Sequence, residues 1–274
     1  MAMKVSYLGP KGSFTQIALT KYFGDDLIQV SQKTIGDVFR SVELNDSDYG
    51  IVPIENSFEG SVNNTHDLLI GSDIQVYDEI QIRINQCLLT KTNNISEIEM
   101  IYSHPQSFGQ CQKWLRNNLP NAQLIPVLSN SEGAERITSD NEACIGSKTL
   151  ANLYSLNLLN ENIEDSKENT TRFVILSHTQ QDKSDNSKIS LIITPPNSDA
   201  SGSLYKLLKP FATEDINLLR IESRPLRGQL WRYVFFIDCE GHIDDKNIQN
   251  AMNTLDDQDI NVKILGCYPS YKSS

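Results

Sequence analysis

Several short polar clusters in this chain stand where a strand hands over to a loop or a helix. The sharpest is Glu55-Asn56-Ser57, which follows the apolar run Ile51-Val52-Pro53-Ile54. A carboxylate, an amide and a hydroxyl side by side can bind and orient a polar organic molecule. Ligands in open α/β sheets bind outside the carboxyl ends of strands, so the place suits the chemistry. Taken alone the triplet is explained as well by a solvated loop; its weight comes from repetition. Ile101-Tyr102-Ser103 ends in a hydroxyl, and Gln110 falls one position off the apolar stripe of the helix that follows. Ser103 and Gln110 can therefore face one crevice. Asn169-Thr170-Thr171-Arg172 enters another strand with polar groups and one cation. Gly9-Pro10-Lys11-Gly12-Ser13-Phe14-Thr15 leads from a strand into a helix, and such a turn can hold an anion on backbone N–H groups. It lacks P-loop spacing, and a βα turn capped by Ser13 or Thr15 explains the same residues. His66 has no second histidine or cysteine beside it, and His104, in a turn, has no paired carboxylate, so a structural histidine is the expectation at both.

The elements that must position these groups are legible as period. The pattern predicts strands at 5–8, 51–54, 80–84, 101–103, 124–127, 143–146 and 173–176. Between them it predicts helices at 17–23, from Thr34, at 61–70 and at 107–119, one capped by Ser131 that carries Glu132 and Glu135, and one through Leu150 and Leu153. Strand and helix alternate with short connections, so the class is α/β. The polar run 179–187 reads as a linker. Beyond it the pattern predicts a strand at 188–194 and a helix at 203–212 with Leu204, Leu207, Leu208 and Phe211 inward. Strands at 217–221 and 230–239, a helix at 244–255 and a strand at 262–265 complete a βαββαβ order, the ferredoxin-like arrangement.

Composition sets the outer bounds. The 274 residues suffice for about two domains. Lys plus Arg number 24 against 35 for Asp plus Glu, a net charge of −11 that argues against nucleic acid or an anionic membrane as partner. An anionic ligand would need a local positive pocket, because the global field repels it. The five cysteines, at 87, 111, 144, 239 and 267, form no C-x-x-C pair and read as buried free thiols of a reducing cytosol. No signal peptide and no membrane-length apolar run is visible, so a cytoplasmic location is expected.

Six stretches, in their order and spacing, resemble the monofunctional prephenate dehydratases with a C-terminal ACT regulatory domain. They are Gly9-Pro10-Lys11-Gly12-Ser13-Phe14, Val52-Pro53-Ile54-Glu55-Asn56-Ser57 with Glu59-Gly60-Ser61-Val62, Ser103-His104-Pro105-Gln106 through Gln110-Cys111, Asn169-Thr170-Thr171-Arg172-Phe173, Gly202-Ser203-Leu204, and Glu222-Ser223-Arg224-Pro225. The resemblance spans residues 5–266. It implies a catalytic domain at 1–180, built like a periplasmic binding protein from lobes at 1–78 with 166–180 and at 79–165. A linker at 181–187 and an ACT domain at 188–274 follow. It further implies decarboxylating dehydration of prephenate to phenylpyruvate in phenylalanine biosynthesis. Aromatisation supplies the driving force, so no cofactor and no metal is expected.

Carried over position by position, the family's essential threonine falls on Thr171 and its cleft residues on Glu55, Asn56, Ser103, Gln110 and Glu135. Arg172, or the turn at Ser13, would take a substrate carboxylate, with Thr170 alongside. Feedback by phenylalanine is implied at Gly202, Ser203, Leu204, Asn217, Glu222, Ser223, Arg224 and Pro225. In relatives two ACT domains enclose the effector, which implies a homodimer or homotetramer. The chain departs from the pattern in three places. Ile82-Arg83-Ile84-Asn85-Gln86 lacks the proline and histidine of many relatives, His66 replaces an often apolar residue, and Ser203 stands where alanine is usual. Two other readings stay open: a dehydratase acting on arogenate, and a non-catalytic amino-acid sensor. With motifs starting at Gly9, a fused chorismate mutase domain is not expected.

Overall fold

The computed structural model describes residues 2–184, 186–196, 200–226, 228 and 232–270. The chain divides into two compact units, Met1–His66 with Ile80–Phe173, and Asp67–Glu79 with Val174–Ser274. Three elements, α3, β5 and β11 below, carry residues of both.

The first unit opens with β1 (Lys4–Leu8), α1 (Phe14–Phe23), β2 (Ile28–Gln32), α2 (Ile35–Glu43), β3 (Tyr49–Asn56) and β4 (Gly60–Ser61). Strand β1 runs parallel to β2 and to β3, with Val5 opposite both Gln29 and Tyr49. The helix starts follow side-chain chemistry. The Ser13 hydroxyl accepts the Gln16 N–H at the head of α1, and Thr34 and Asp37 form a capping box on α2. Val38, Phe39 and Val42 of α2 bury one stripe, as their three-and-four spacing requires. Next come α3 (Asn63–Gly71) and β5 (Gln75–Arg83).

A second sheet is built from β6 (Cys87–Thr90), β7 (Met100–Ser103), β8 (Gln123–Pro126), β9 (Glu142–Gly146) and β10 (Asn157–Asn160), in the order β10-β6-β9-β7-β8. Its helices are α4 (Pro105–Gln110), α5 (Gln112–Asn118), α6 (Asn130–Arg136) and α7 (Thr149–Tyr154). The single helix expected over 107–119 is two. Cys111 breaks it, with φ −119 and ψ 16. The Asp165 carboxylate then accepts the N–H groups of Lys113 and Trp114, at 3.1 and 3.3 Å, in place of a local cap. A cap that arrives from fifty residues downstream is invisible to periodicity. Helix α6 is capped by Ser129, not Ser131; the Ser131 hydroxyl instead donates to the Lys11 carbonyl at 2.9 Å. Strand β11 (Thr170–Ser177) completes the first sheet, whose order is β2-β1-β3-β11-β5 with β4 beside β3.

The second unit carries β12 (Ser187–Thr194), α8 (Ser203–Thr213), β13 (Leu218–Pro225), β14 (Tyr233–Glu240), α9 (Lys246–Asp256) and β15 (Asn261–Pro269). The antiparallel order β13-β14-β12-β15 is that of a ferredoxin-like sheet. Ile189, Leu191 and Ile193 from the sheet pack with Leu207, Phe211, Ile248 and Leu255 from the two helices. Leu204 does not join them; it is 43% exposed in the first turn of α8, ahead of the stripe. The strand expected from Leu230 begins at Tyr233, and residues 230 and 231 lie outside those described.

Candidate active site

The first unit encloses a cavity of about 540 Å³, a volume typical of small-molecule sites. Its wall comes from the turn after β1, the end of β3 with the hairpin to β4, the residues following β5, α4, the start of α6 and the start of β11. Two glycines in the wall have positive φ. Gly60 turns the hairpin at φ 78, a conformation L residues avoid. Gly12, at φ 82, leaves no room for a side chain, since a Cβ would lie 2.2 Å from Leu150 Cδ2.

Asn56 and Thr171, both nearly buried, face this cavity from neighbouring strands. The Asn56 side-chain carbonyl accepts the N–H groups of Phe58 and Glu59, at 3.0 and 3.1 Å. Backbone N–H groups can only meet the oxygen, so the amide orientation is fixed. Its NH2 end then donates to Asn169 Oδ1 at 2.8 Å and to Thr171 Oγ1 at 2.9 Å. With one lone pair of Thr171 Oγ1 occupied by a donor, the hydroxyl proton is left for a group outside this pair.

Strand alternation sends the adjacent residues the other way. Glu55 and Arg172 do not line the cavity; they form an ion pair at 3.5 Å on the opposite face. Thr170, beside them, meets the hairpin through its backbone, its N–H donating to Ser57 Oγ at 3.0 Å. Glu135, on the exposed side of α6, is also outside the wall.

The second sheet contributes an amide and hydroxyl network. Ser103, fully buried at the end of β7, lies within 2.9 Å of Asn130 Oδ1 and 3.0 Å of the Ile145 carbonyl, behind the wall and not in it. Asn130 does line the cavity, and its Oδ1 also accepts the His104 N–H at 2.9 Å. Gln110 lines it too. Its Oε1 accepts from Gln86 Nε2 at 3.0 Å, which leaves its own NH2 as the donor for another group. Gln86 is itself buried in the wall, and its Oε1 has no hydrogen-bond partner among the described residues. Gln86, Ser107 and Asn130 escaped the sequence reading. The one signal for Gln86 was a polar residue where the alternation of Ile80, Ile82 and Ile84 stops.

Ser13 lines the cavity, but its donors point inward: the N–H to the Pro10 carbonyl at 3.2 Å and the hydroxyl to the Leu8 carbonyl at 3.1 Å. Gly12 N–H likewise goes to Gln16 Oε1 at 2.7 Å. An anion at this turn would meet instead the N–H groups of Phe14 and Thr15. Among the described lining residues only Glu59 and His104 are ionisable. The cysteines are free and buried, and burial pushes the Cys87 thiol up to about 11 and Cys111 higher still, so neither supplies a thiolate.

The residues assigned to an effector lie in the second unit. Gly202, at φ 78, caps α8, with Ser203 and Leu204 in its first turn. The Asn217 carbonyl accepts the Glu240 N–H at 3.0 Å at the head of β13. Strand β13 is an edge strand on which Ser223 and Pro225 are exposed, while Glu222 and Arg224 face the other way. Glu222 pairs with Arg220, and Arg224 with Asp67 at 2.8 Å.

Residues 5–181 match the family model for prephenate dehydratase, and residues 197–257 match that for the ACT domain. A bifunctional chorismate mutase/prephenate dehydratase of Stutzerimonas stutzeri is 41% identical over 97% of this chain and 73% of its own length. The prephenate dehydratase of Arthrobacter aurescens, solved in complex with L-Phe, superposes with a TM-score of 0.89 at 30% identity, covering 98% of this chain and 90% of that one. The enzyme from Staphylococcus aureus Mu50 gives 0.86 at 31% identity, covering 97% of this chain and 100% of its own.

Proposed function

The chain belongs to the prephenate dehydratase family, and from that membership we propose how its residues convert prephenate to phenylpyruvate under feedback by phenylalanine. The reaction expels hydroxide from the ring while the ring carboxylate leaves as carbon dioxide, and aromatisation makes it downhill. The protein's task is to help one oxygen depart. Thr171 is the group for this, because Asn56 holds its oxygen as an acceptor and directs its proton outward. The hydroxyl is too weak an acid for full proton release, so it acts as a positioned donor or relay to the leaving oxygen. One such preorganised donor is typically worth ~2.7–4 kcal/mol of transition-state stabilisation. Gln110 presents a second donor, and Ile84 and Phe173 give the ring an apolar wall. The Asn56–Thr171 contact at 2.9 Å is the observation that carries this assignment. Ser103 acts through Asn130, and Glu55 with Arg172 fixes the strands from behind, as does Thr170.

We assign catalysis to residues 1–180, a linker to 181–187 and regulation to an ACT domain at 188–274. Phenylalanine would sit at the head of α8 and along β13. The edge of β13 exposes Leu219 and Ile221 at 44% and 46%, an apolar row suited to the same strand of a second copy. This supports a homodimer, or a homotetramer made of two. No described helix is long and apolar enough to cross a membrane. That and the buried free thiols fit a cytoplasmic enzyme. The test is turnover of prephenate followed as phenylpyruvate, with and without phenylalanine. Turnover is expected, inhibited by phenylalanine, with weaker inhibition in Glu222→Ala; no phenylpyruvate from wild-type protein would refute the reading.

A further inference from the structure

The substrate of this reaction is a dianion, yet among the described residues no lysine or arginine lines the cavity. Arg172 is on the other face with Glu55, and the N–H groups of Gly12 and Ser13 are turned inward. The single basic side chain in the wall is His104. It is the N-cap of α4, and its Nδ1 accepts the Gln106 N–H at 3.2 Å. An imidazole that accepts at Nδ1 carries its hydrogen at Nε2, so the cap fixes the tautomer. Because His104 lines the cavity, Nε2–H is the side-chain donor it has for a ligand there.

We propose that His104 Nε2–H anchors the pyruvyl carboxylate of the substrate. The choice between the two carboxylates follows from the reaction. The ring carboxylate loses its charge as carbon dioxide departs, so a donor holding it would stabilise the ground state more than the transition state. The pyruvyl carboxylate keeps its charge through to phenylpyruvate, and a donor there binds substrate and product alike. His104 is thus a binding residue for both. This rests on the dehydratase reading above.

Three variants separate capping from anchoring. Asn and Asp are strong N-caps, so His104→Asn and His104→Asp retain the acceptor for Gln106 N–H; Asp has no donor, and the Asn NH2 falls short of the position of Nε2. His104→Gln puts an amide NH2 near the position of Nε2. Expected for His104→Asn is a KM for prephenate raised about tenfold or more, a larger change than that in kcat, with an unchanged melting temperature. His104→Asp should raise KM further through charge repulsion, and His104→Gln should recover part of the loss. Calorimetric titration of phenylpyruvate should give the same order of affinities. Unchanged KM and unchanged phenylpyruvate affinity in folded His104→Asn would overturn the proposal, as would a fall in kcat alone. Product titration needs no turnover, so it reads His104 separately: a wild-type chain that binds phenylpyruvate through His104 but fails to turn over prephenate counts against the dehydratase reading only.

Discussion

Thr171 has an oxygen held by the Asn56 amide at 2.9 Å and a proton directed away from it. Replacing it by alanine should lower kcat by about 100- to 1000-fold in a normally folded protein. Thr171→Ser, which keeps the hydroxyl, should retain appreciable activity. Circular dichroism with steady-state rates decides, and near wild-type kcat in the alanine variant would sink the assignment. At this scale the sequence exposed Asn56, Thr171 and Gln110, because strand ends and helix starts carry local signals. It did not expose Gln86 or Asn130. Their places depend on hydrogen bonds to Gln110, 24 residues away, and to Ser103, 27 residues away. Neither Gln86 nor Asn130 stands out by its own residue type.

Period decides what a strand shows to a site. Motif adjacency grouped Glu55 with Asn56 and Arg172 with Thr171, but successive strand residues face opposite ways. One member of each pair therefore lines the cavity while the other forms the ion pair behind it. The second sheet has its own anchor at Glu142, the first residue of β9. Burial alone would raise the pKa of this carboxyl. The N–H groups of Thr138 and Ser139 and the Tyr102 hydroxyl, at 2.7, 3.0 and 2.9 Å, outweigh it and bring the value from 4.5 down to about 2. A depressed folded-state pKa contributes stability above the unfolded value and loses it as pH falls through the folded one. Glu142→Gln should therefore cost about 1–3 kcal/mol at pH 7, with the gap to wild type narrowing as pH drops below about 4.5. Urea titrations across that range test it; a gap independent of pH would refute the ionic role.

The composition of the second unit could not be read along the chain. Residues 67–79, early in the sequence, belong with 174–274. Lys188 of β12 shows why: its ammonium lies 2.7 Å from Glu79 and 4.0 Å from Asp238, with side chains of Lys188 and Glu79 only 5% and 2% exposed. Nearby, Lys263 donates to the carbonyls of Leu69 and Ile70 at the end of α3, at 2.9 and 3.2 Å. Lys188→Met should destabilise the protein by about 3–5 kcal/mol, because it strands a buried carboxylate. Adding Glu79→Gln should restore much of that. Chemical denaturation of the single and double variants measures both, and equal losses in the two would argue that Glu79 is not the stranded charge.

Strand and helix periods, the ferredoxin-like order and the six motifs are local properties, and the sequence by itself determined them: α/β class, family and the polar strand ends. Only the tertiary structure decided which groups share the cavity. That choice turns on strand faces, on helix ends capped by distant residues such as Asp165, and on amides oriented by partners far away in the chain. It also moved the question of the substrate's charge from Arg172 to a wall of neutral donors with one histidine. Folding brings these partners together through burial and hydrogen-bond satisfaction, which depend on three-dimensional neighbours and not on spacing along the chain.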